Sequence, residues 1–294
     1  MRTRSGFVAL AGRPNVGKST LVNAVVGEKI AIVSDRPQTT RRAIRGVCTR
    51  GDSQLVLVDL PGVQRPRDAL TARMAGRVTH ELDEADVALL ILNGEQGIGS
   101  GDRFIAGVLA DSDTAVTIAV NKVDRLNRAA TAAVLQQASE LELDGEIFPI
   151  SARTGVGVPA LVEHLHGLMP EGPLMFAPDE HSDQSRELLL AELIREAVIR
   201  RTFQEVPHAV EVVIEEIEHP RNGLVRVRGL IWVESDSQRG IVVGAGGRMI
   251  KAIGTAARRE LERELDSQVH LDLSVRVRRD WRADEGLLDR LGIT

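Results

Sequence analysis

The sequence predicts two domains in one chain: an α/β domain with a mostly parallel sheet, followed by a smaller α+β domain. The length of 294 residues suits two domains of ordinary size. Apolar strands that each end in a polar motif recur through the first half, whereas a helix and an alternating hairpin pattern fill the second. The expected boundaries are 1–170 for the first domain, 171–185 for a turn-rich linker and 186–294 for the second domain.

The composition excludes several classes of protein. Hydrophobic residues make up 43% and charged residues 27% of the chain, with a net charge of −5, as in ordinary soluble proteins. The longest apolar run, "VALLIL" at 87–92, is too short to span a bilayer. The single cysteine, Cys48, cannot form an internal disulfide, which suits a reducing compartment. We therefore expect a cytoplasmic monomer; peripheral association with the inner face of the membrane is an alternative that no sequence feature supports.

A phosphate-binding loop is predicted near the N-terminus. The strand "FVALAG" leads into "GRPNVGKST" at 12–20, which matches the pattern G-x-x-x-x-G-K-[ST]. In such a loop, backbone N–H groups surround the phosphates, the lysine reaches the terminal phosphates and the Ser19 hydroxyl binds Mg²⁺. The nucleotide-binding candidates here are Gly12, Asn15, Val16, Gly17, Lys18, Ser19 and Thr20.

The end of the next apolar strand supplies a second phosphate motif. The stretch "LVLVDLPG" at 55–62 ends in D-x-x-G. The pattern places Asp59 to hold Mg²⁺ and Gly62 to approach the γ-phosphate. A structural glycine-rich turn could explain the first motif by itself, but it does not explain both motifs in this order.

Two later strands end in motifs that select the base. "TIAVNKVD" at 117–124 contributes Asn121, Lys122 and Asp124, and "FPISAR" at 148–153 contributes Ser151 and Ala152. Two carboxylate oxygens of Asp124 can accept from N1–H and the exocyclic amine of guanine, and a backbone N–H near Ala152 can donate to O6. Adenine does not offer these donors in that arrangement, so GTP and GDP are favoured over ATP.

The second domain has the element order of a type II KH domain. The helix pattern "RELLLAELIREAVIRR" at 186–201 precedes a hairpin of two alternating strands, and "VHLDLSVRV" at 269–277 ends the pattern. Core packing is expected for the helix; a membrane-surface helix is the alternative, which its interleaved glutamates disfavour. Between hairpin and last strand lies "IVVGAGGRMIKAIG" at 241–254, a β-type run, then glycines, then a helix.

This glycine-rich stretch predicts RNA binding. A dinucleotide fingerprint fails here because Met249 stands where the third glycine belongs. A G-x-x-G loop of a KH domain instead grips about four single-stranded nucleotides. Residues 239–259 carry five basic and no acidic residues, a local footprint for RNA. The predicted RNA-binding residues are Gly244, Ala245, Gly246, Gly247, Arg248, Lys251 and Arg258, and we expect no DNA partner.

With these motifs in this order, the chain resembles the Era family of translation-factor-like GTPases. The resemblance extends over nearly the whole chain, including "SDSQRGIVVGAGG" and the terminal "RRDWRADEGLLDRLG". It implies a GTP-hydrolysing switch with Mg²⁺ that binds small-subunit ribosomal RNA near its 3′ end and assists maturation of the small ribosomal subunit. In the family, "VSDRPQTTRR" at 33–42 resembles the first switch loop, with Thr40 as Mg²⁺ ligand and adjacent Thr39 as the competing choice.

The catalytic residues implied are Lys18, Thr40 and Gly62. Val63 stands where Ras-like proteins carry a water-orienting glutamine, so hydrolysis is expected to be slow or assisted. Gln64 would project in another direction. Asn15 resembles the asparagine by which potassium-dependent relatives hold K⁺, a candidate further cofactor. The sequence departs from the family where Gly246 replaces a common loop lysine, which would weaken the grip on RNA.

Two other functions remain open at this point. A signalling GTPase with a protein-binding second domain would not retain RNA on purification. An RNA-binding module in which the nucleotide only stabilises the fold would show almost no GTP turnover, even with ribosomal subunits present.

Overall fold

The first domain is built on a mostly parallel sheet, as predicted. The computed structural model describes residues 3–34, 36, 39–62 and 68–293. The strands of this domain are β1 (Arg4–Ala11), β2 (Ile44–Arg50), β3 (Ser53–Asp59), β4 (Val87–Asn93), β5 (Ala115–Asn121) and β6 (Ile147–Pro149). They form a sheet of order β2-β3-β1-β4-β5-β6, in which β2 is antiparallel to β3 and the other neighbours are parallel.

Helices cover both faces of this sheet. They are α1 (Lys18–Val26), α2 (Ala69–Glu84), α3 (Ser100–Ala110), α4 (Arg128–Ser139) and α5 (Val158–Leu168). Alternate residues of β1 point to opposite sides: Leu10 packs with α1 and α5, whereas Ala9 and Ala11 pack with α2, α3 and α4. Burial on both faces explains why the central strands read as continuous apolar runs.

The second domain is an α+β unit in which helices pack on one three-stranded sheet. Its elements are α6 (Arg186–Ile199), α7 (Val206–Ala209), β7 (Glu211–Arg221), β8 (Leu224–Val233), α8 (Asp236–Val243), α9 (Arg248–Leu265), β9 (Gln268–Val277) and α10 (Glu285–Arg290). Strand β8 pairs antiparallel with β7 and parallel with β9. Helix α9 buries Ile253, Ala257 and Leu261 in the core, a spacing of four residues. In the described part of the chain, every helix is too short or too polar to cross a lipid bilayer.

The predicted β-type run at 241–243 is wrong, because these residues end helix α8. The side chain of Ser235 accepts from the backbone N–H of Gln238 and caps this helix. Val242 is fully buried in the second core. The cap and this packing outweigh the β propensity of three consecutive β-branched residues. The glycine loop therefore connects two helices instead of a strand and a helix.

The stretch between the domains is bound along the first domain. It lacks regular helix or strand over most of its length, as its composition indicates. The fully buried Gln54 of β3 accepts from the N–H groups of Met175 and Phe176 through Oε1, at 2.8 and 3.0 Å. The N–H of Val47 donates to the carbonyl of His181 at 2.8 Å. These bonds fix the path of the chain along the β2–β3 edge.

The C-terminal segment packs against both domains. Trp281 is fully buried and donates from Nε1 to the carbonyl of Ala209 at 2.8 Å. Together with Leu288, it shares a hydrophobic cluster with Leu70 and Met74 of α2. The tail therefore joins the second domain to a helix of the first.

Candidate nucleotide site and nucleic-acid interface

The phosphate loop between β1 and α1 has the backbone of an anion-binding turn. Gly12, Asn15 and Gly17 have φ values of 152°, 64° and 107°. A Cβ on Gly12 would lie 2.6 Å from the carbonyl oxygen of Ile91, and a Cβ on Gly17 would lie 2.3 Å from Asn121 Nδ2. Both positions therefore need glycine for conformation and for space. The loop opens onto the N-terminus of α1, where free N–H groups favour phosphate.

Lys18 is buried at the base of this loop. Its Nζ donates to the carbonyls of Gly12 and Arg13, each at 3.1 Å. Burial lowers the pKa of Lys18 to about 8, and the Coulombic effect of Asp59 partly opposes this shift. The amine is therefore held inside the loop without a full counter-charge, in an environment that an anionic phosphate would favour.

Three oxygen-bearing side chains converge beside Lys18. The Ser19 hydroxyl donates to Asp59 Oδ2 at 2.6 Å and lies 3.1 Å from Thr40 Oγ1, which is 3.3 Å from the same carboxylate oxygen. Burial raises the pKa of Asp59, and Lys18 and the two hydroxyls oppose that shift. Asp59 Oδ1 is buried with no hydrogen-bond partner among the described residues. Mg²⁺ prefers hard oxygen ligands, such as these two hydroxyls and this carboxylate. The three side chains therefore suit a magnesium site.

The structure separates the two adjacent threonines. The hydroxyl of Thr39 lies 2.6 Å from Ser34 Oγ and donates to the carbonyl of Arg36 at 2.7 Å. It therefore forms hydrogen bonds within its own loop. The hydroxyl of Thr40 instead reaches Ser19 and Asp59. The geometry therefore favours Thr40 for the metal site.

Gly62 lies against the phosphate loop. A Cβ at this position would be 2.8 Å from the backbone nitrogen of Pro14, so glycine permits the approach. Val63 and Gln64, which bear on the expected hydrolysis rate, lie outside the described residues.

Asn121 connects the phosphate loop to the base motifs. Its Nδ2 donates to the carbonyl of Val16 at 2.8 Å, and its Oδ1 accepts from the N–H of Ala152 at 2.9 Å. Lys122, in a left-handed conformation at φ 68°, donates from Nζ to the carbonyl of Asn15 at 2.9 Å. Asn121 therefore orients neighbouring loops, and the stem of Lys122 borders the base cavity.

Asp124 already has two partners. One carboxylate oxygen accepts from Ser151 Oγ at 2.7 Å, and the other accepts from Arg153 Nη2 at 2.6 Å. The hydrogen bond from Ser151, followed by that from Arg153, lowers the pKa of Asp124 and keeps it ionised. Sequence reasoning missed Arg153, although its position directly after Ser151 and Ala152 was a usable signal.

The phosphate and base residues share one cleft. Two adjoining cavities, one over the phosphate loop and one over the base motifs, have five lining residues in common. These shared residues are Asn15, Gly17, Thr20, Val33 and Ser34. A ligand with a phosphate end and a base end can therefore occupy both cavities at once.

The glycine loop of the second domain lies between α8 and α9. Gly244, Gly246 and Gly247 have φ values of 70°, 60° and 76°. A Cβ on Gly244 would lie 2.6 Å from that of Met249, whereas a Cβ on Gly246 or Gly247 would have no described atom within 4 Å. Gly244 closes the turn internally, and the exposed side of the other two is open to another backbone.

A groove extends from this loop between α9 and β9. Its floor is apolar, and its rim carries two of the predicted basic residues, Lys251 and Arg258. The lining residues are Ile250, Lys251, Gly254, Thr255, Arg258, Val269, His270, Leu271 and Leu273. Thr255 and His270, which sequence reasoning did not single out, also line this groove; the Thr255 hydroxyl donates to the carbonyl of Lys251 at 2.8 Å. Arg248 lies outside this groove and donates from Nε to the carbonyl of Ala245 at 3.2 Å.

Family models match both domains. The model described as a 50S ribosome-binding GTPase matches residues 7–122, and the KH domain model matches residues 205–282. The α/β domain with a following type II KH domain is thus confirmed.

Relatives match nearly the whole chain. GTPase Era of Mycobacterium avium is 45% identical, with 98% of each chain covered. GTPase Era of Lactobacillus helveticus is 41% identical, with 98% of this chain and 96% of the relative covered.

Two solved structures are similar over the same extent. A crystal structure of Era in complex with MgGDPNP and nucleotides 1506–1542 of 16S ribosomal RNA has a TM-score of 0.94 at 34% identity, over 99% of both chains. A variant of Aquifex aeolicus Era bound to GDP and AlF₄⁻ has a TM-score of 0.93 at 34% identity, over 99% of this chain and 100% of that one. The predicted resemblance is confirmed: the chain belongs to the Era family of GTPases.

Proposed function

We propose that this GTPase is a nucleotide-controlled factor that binds small-subunit ribosomal RNA near its 3′ end and assists maturation of the small ribosomal subunit. One observation supports this function most directly. A guanine-nucleotide cleft and a KH groove occur in one chain, which matches over 99% of its length a relative crystallised with both MgGDPNP and 16S RNA nucleotides.

In the nucleotide cleft, each motif has a separate role. The backbone of the loop from Gly12 to Thr20 surrounds the phosphates, and Lys18 neutralises the terminal ones. Asp124 accepts from the guanine edge, and the Ala152 N–H donates to O6. Asn121, Lys122 and Ser151 hold these two groups in place; their hydrogen bonds with the loop motifs support this role.

The residues that would hold Mg²⁺ are Ser19, Thr40 and Asp59. When bound, the cation supplies positive charge against the β- and γ-phosphates. Among the described residues, Oδ1 of Asp59 has no hydrogen-bond partner, which supports this assignment. Gly62 packs closely against Pro14 of the phosphate loop, which supports a contact between its N–H and a γ-phosphate. Such a contact would distinguish GTP from GDP.

Hydrolysis is proposed to be slow without assistance. Val63 offers no group that can align a water molecule. Asn15 lines both cavities of the cleft, which supports its proposed role in holding K⁺ near the phosphates. Equal GTPase rates in KCl and NaCl would exclude that role.

In the second domain, RNA is proposed to bind the loop Gly244-Ala245-Gly246-Gly247 and the adjoining groove. The N-terminus of α9 points its free N–H groups at this loop, which favours a phosphate. Lys251 and Arg258 add positive charge, and Arg248 can replace part of the charge that is lost where Gly246 stands. The proposed domain boundaries are 1–170 and 186–294, and the proposed state is a cytoplasmic monomer.

Binding of defined RNAs tests this function. Fluorescence anisotropy would compare a 3′-terminal fragment of small-subunit RNA, an internal fragment of equal length and DNA of the 3′-terminal sequence, with GDP and with a non-hydrolysable GTP analogue. We expect the 3′-terminal RNA to bind most tightly in at least one nucleotide state. Equal affinity for all three nucleic acids would contradict the proposed function.

A further inference from the structure

The loop that carries Thr40 is bound to the second domain at its beginning. We call residues 32–42 the switch segment, of which 32–34, 36 and 39–42 are described. Ile32 packs in the hydrophobic core of the second domain. The Val33 N–H donates to Glu196 Oε1 at 3.1 Å, and Arg200 Nη2 donates to the Val33 carbonyl at 3.2 Å. Helix α6 therefore binds the start of the switch segment through side-chain and main-chain contacts.

The end of the switch segment is buried in the same domain. Arg41 Nη1 donates to Glu211 Oε2 at 2.8 Å and to the carbonyl of Val210 at 2.6 Å. Arg42 donates to Glu192 Oε1 at 3.0 Å and to Glu211 Oε1 at 3.3 Å. Thr40 directly precedes these two anchored residues, so its position depends on a neighbouring domain.

Arg195 of α6 reaches the peptide unit just before Thr40. Its side chain is fully buried, and Nη2 donates both to the Thr39 carbonyl and to the Glu192 carboxylate. The Thr39 carbonyl and the Thr40 N–H belong to one planar peptide group. A donor that fixes this carbonyl therefore also fixes the positions of the Thr40 N–H and Cα, from which the Thr40 side chain starts.

We propose that Arg195, in the second domain, is a positioning residue for the metal site of the first domain. It orients the peptide unit between Thr39 and Thr40, so that the Thr40 hydroxyl lies beside Ser19 and Asp59. This role rests on the proposed assignment of Thr40 to the metal site. It makes the domain contact a condition for full engagement of GTP, since the switch threonine contacts Mg²⁺ only when the γ-phosphate is present.

Arg195 can be replaced without leaving an unpaired buried charge. The buried cluster described around it contains three guanidinium groups and two carboxylates. Its members are Arg41, Arg42, Arg195, Glu192 and Glu211. Removal of Arg195 leaves two charges of each sign, and methionine fills a similar space without a donor. The Arg195→Met variant is therefore expected to fold.

Nucleotide release measures the position of Thr40 without relying on hydrolysis. Stopped-flow fluorescence would follow release of labelled GDP and of a labelled non-hydrolysable GTP analogue, each with Mg²⁺ and with EDTA. With Mg²⁺, we expect Arg195→Met to release the GTP analogue roughly tenfold faster, as for the loss of one charge-assisted hydrogen bond. Release of GDP with Mg²⁺, and of either nucleotide in EDTA, should stay near the wild-type rate, because Thr40 is not engaged there.

Matched variants separate positioning from general loosening of the domains. Arg73→Ala removes another arginine at the domain contact, which bonds to Asp289 and to the carbonyl of Ile293. It has no bond to the described residues of the switch segment. It should not change the ratio of the two release rates. Arg195→Lys keeps the positive charge, but its single nitrogen cannot replace both Nε, which donates to Glu192, and Nη2, which donates to Thr39 and Glu192. This variant should therefore release the GTP analogue at an intermediate rate.

Release rates of the Thr40 and Arg195 variants either support or contradict the proposed role of Arg195. Thr40→Ala tests the underlying assignment: if it does not speed release of the GTP analogue, the metal-site role of Thr40 is wrong. If Thr40→Ala does speed release but Arg195→Met releases both nucleotides at wild-type rates, or speeds them equally, Arg195 does not position Thr40. If Arg195→Met fails to fold, wild-type release by Arg195→Lys overturns the proposed role.

Discussion

Arg153 Nη2 lies 2.6 Å from Asp124 Oδ2, so the carboxylate assigned to guanine recognition is already ion-paired. Ser151 occupies the other oxygen at 2.7 Å. Guanine would need acceptor capacity on both oxygens for its N1–H and amine. We expect Arg153 to compete with the base for Asp124 Oδ2, although its hydrogen bond also helps keep the carboxylate ionised.

Removal of this competitor should strengthen nucleotide binding slightly. The Arg153 side chain is 69% exposed, so its ion pair contributes little, about 0.2–1 kcal/mol. We expect Arg153→Ala to bind GDP about two- to threefold more tightly by calorimetry. A tenfold loss of affinity would instead mean that Arg153 holds the base.

Lys18 should make nucleotide binding take up protons at mildly alkaline pH. Burial lowers its pKa to about 8 in the free protein, so the neutral amine becomes populated as pH rises through that value. A bound phosphate favours the ammonium form and raises the pKa again. Binding of Mg²⁺-GDP near pH 8 should therefore take up about half a proton, and affinity should fall at higher pH.

Calorimetry in buffers of different ionisation enthalpy measures this uptake. Binding heats that do not depend on the buffer at that pH would show that Lys18 is fully charged before the nucleotide arrives. Repeating the titration about two pH units lower, where Lys18 is protonated in both states, provides the control.

A pair of variants at Gly247 isolates the effect of charge on RNA binding. Gly247 has φ 76°, a conformation that asparagine and aspartate tolerate better than other residues, and a Cβ there has no described atom within 4 Å. The two side chains are nearly equal in shape. We expect Gly247→Asp to bind RNA about tenfold more weakly than Gly247→Asn, because a carboxylate about 4 Å from a phosphate costs about 1 kcal/mol or more.

GDP affinity and Tm, measured on the same preparations, are the controls, and both should be equal for the two Gly247 variants. Equal RNA affinity of the two variants would mean that no phosphate approaches this loop. The comparison also removes the strain of a left-handed residue, which both variants share.

His166 should make the first domain sensitive to acid. Its Nδ1 lies 2.8 Å from Ser53 Oγ, and its Nε2 is buried with no hydrogen-bond partner among the described residues. Burial, and then the charge of Arg50, lower the pKa of His166 to about 4. Because the folded pKa lies below the unfolded value, the stabilisation is present above about pH 6.5 and is lost as pH falls towards the folded pKa.

Thermal unfolding as a function of pH measures this contribution. Between about pH 6.5 and pH 4, we expect the Tm of His166→Gln to fall less than that of the wild type, by about 2–4 °C. Parallel pH profiles of the two proteins would show that His166 titrates normally.

Local motifs explain why much of the nucleotide cleft could be predicted. The phosphate loop is one contiguous turn, and its glycines are required by contacts within that turn and with the next strands. The carboxyl ends of parallel strands meet at one edge of the sheet, so Asp59, Asp124 and Ala152 were expected near it. The order of these motifs along the sequence was therefore sufficient to predict that they lie close together.

The features that sequence reasoning missed or left open depend on distant contacts. Adjacent Thr39 and Thr40 are distinguished only by the path of the switch segment, which Arg195 holds from 156 residues away. The run at 241–243 is helical because of a cap at Ser235 and the burial of Val242, which outweigh local propensity. Arg153 follows a recognised motif, yet its pairing with Asp124 requires two loops to meet.

Cross-linking in living cells, with sequencing of the attached RNA, tests most directly whether this GTPase acts on the small ribosomal subunit. The wild-type protein should cross-link to nucleotides near the 3′ end of small-subunit RNA, and Gly247→Asp should lose those cross-links while still binding GDP. Two results would contradict the proposed function: no cross-links of the wild-type protein near the 3′ end, or cross-links of both proteins to unrelated RNAs to the same extent.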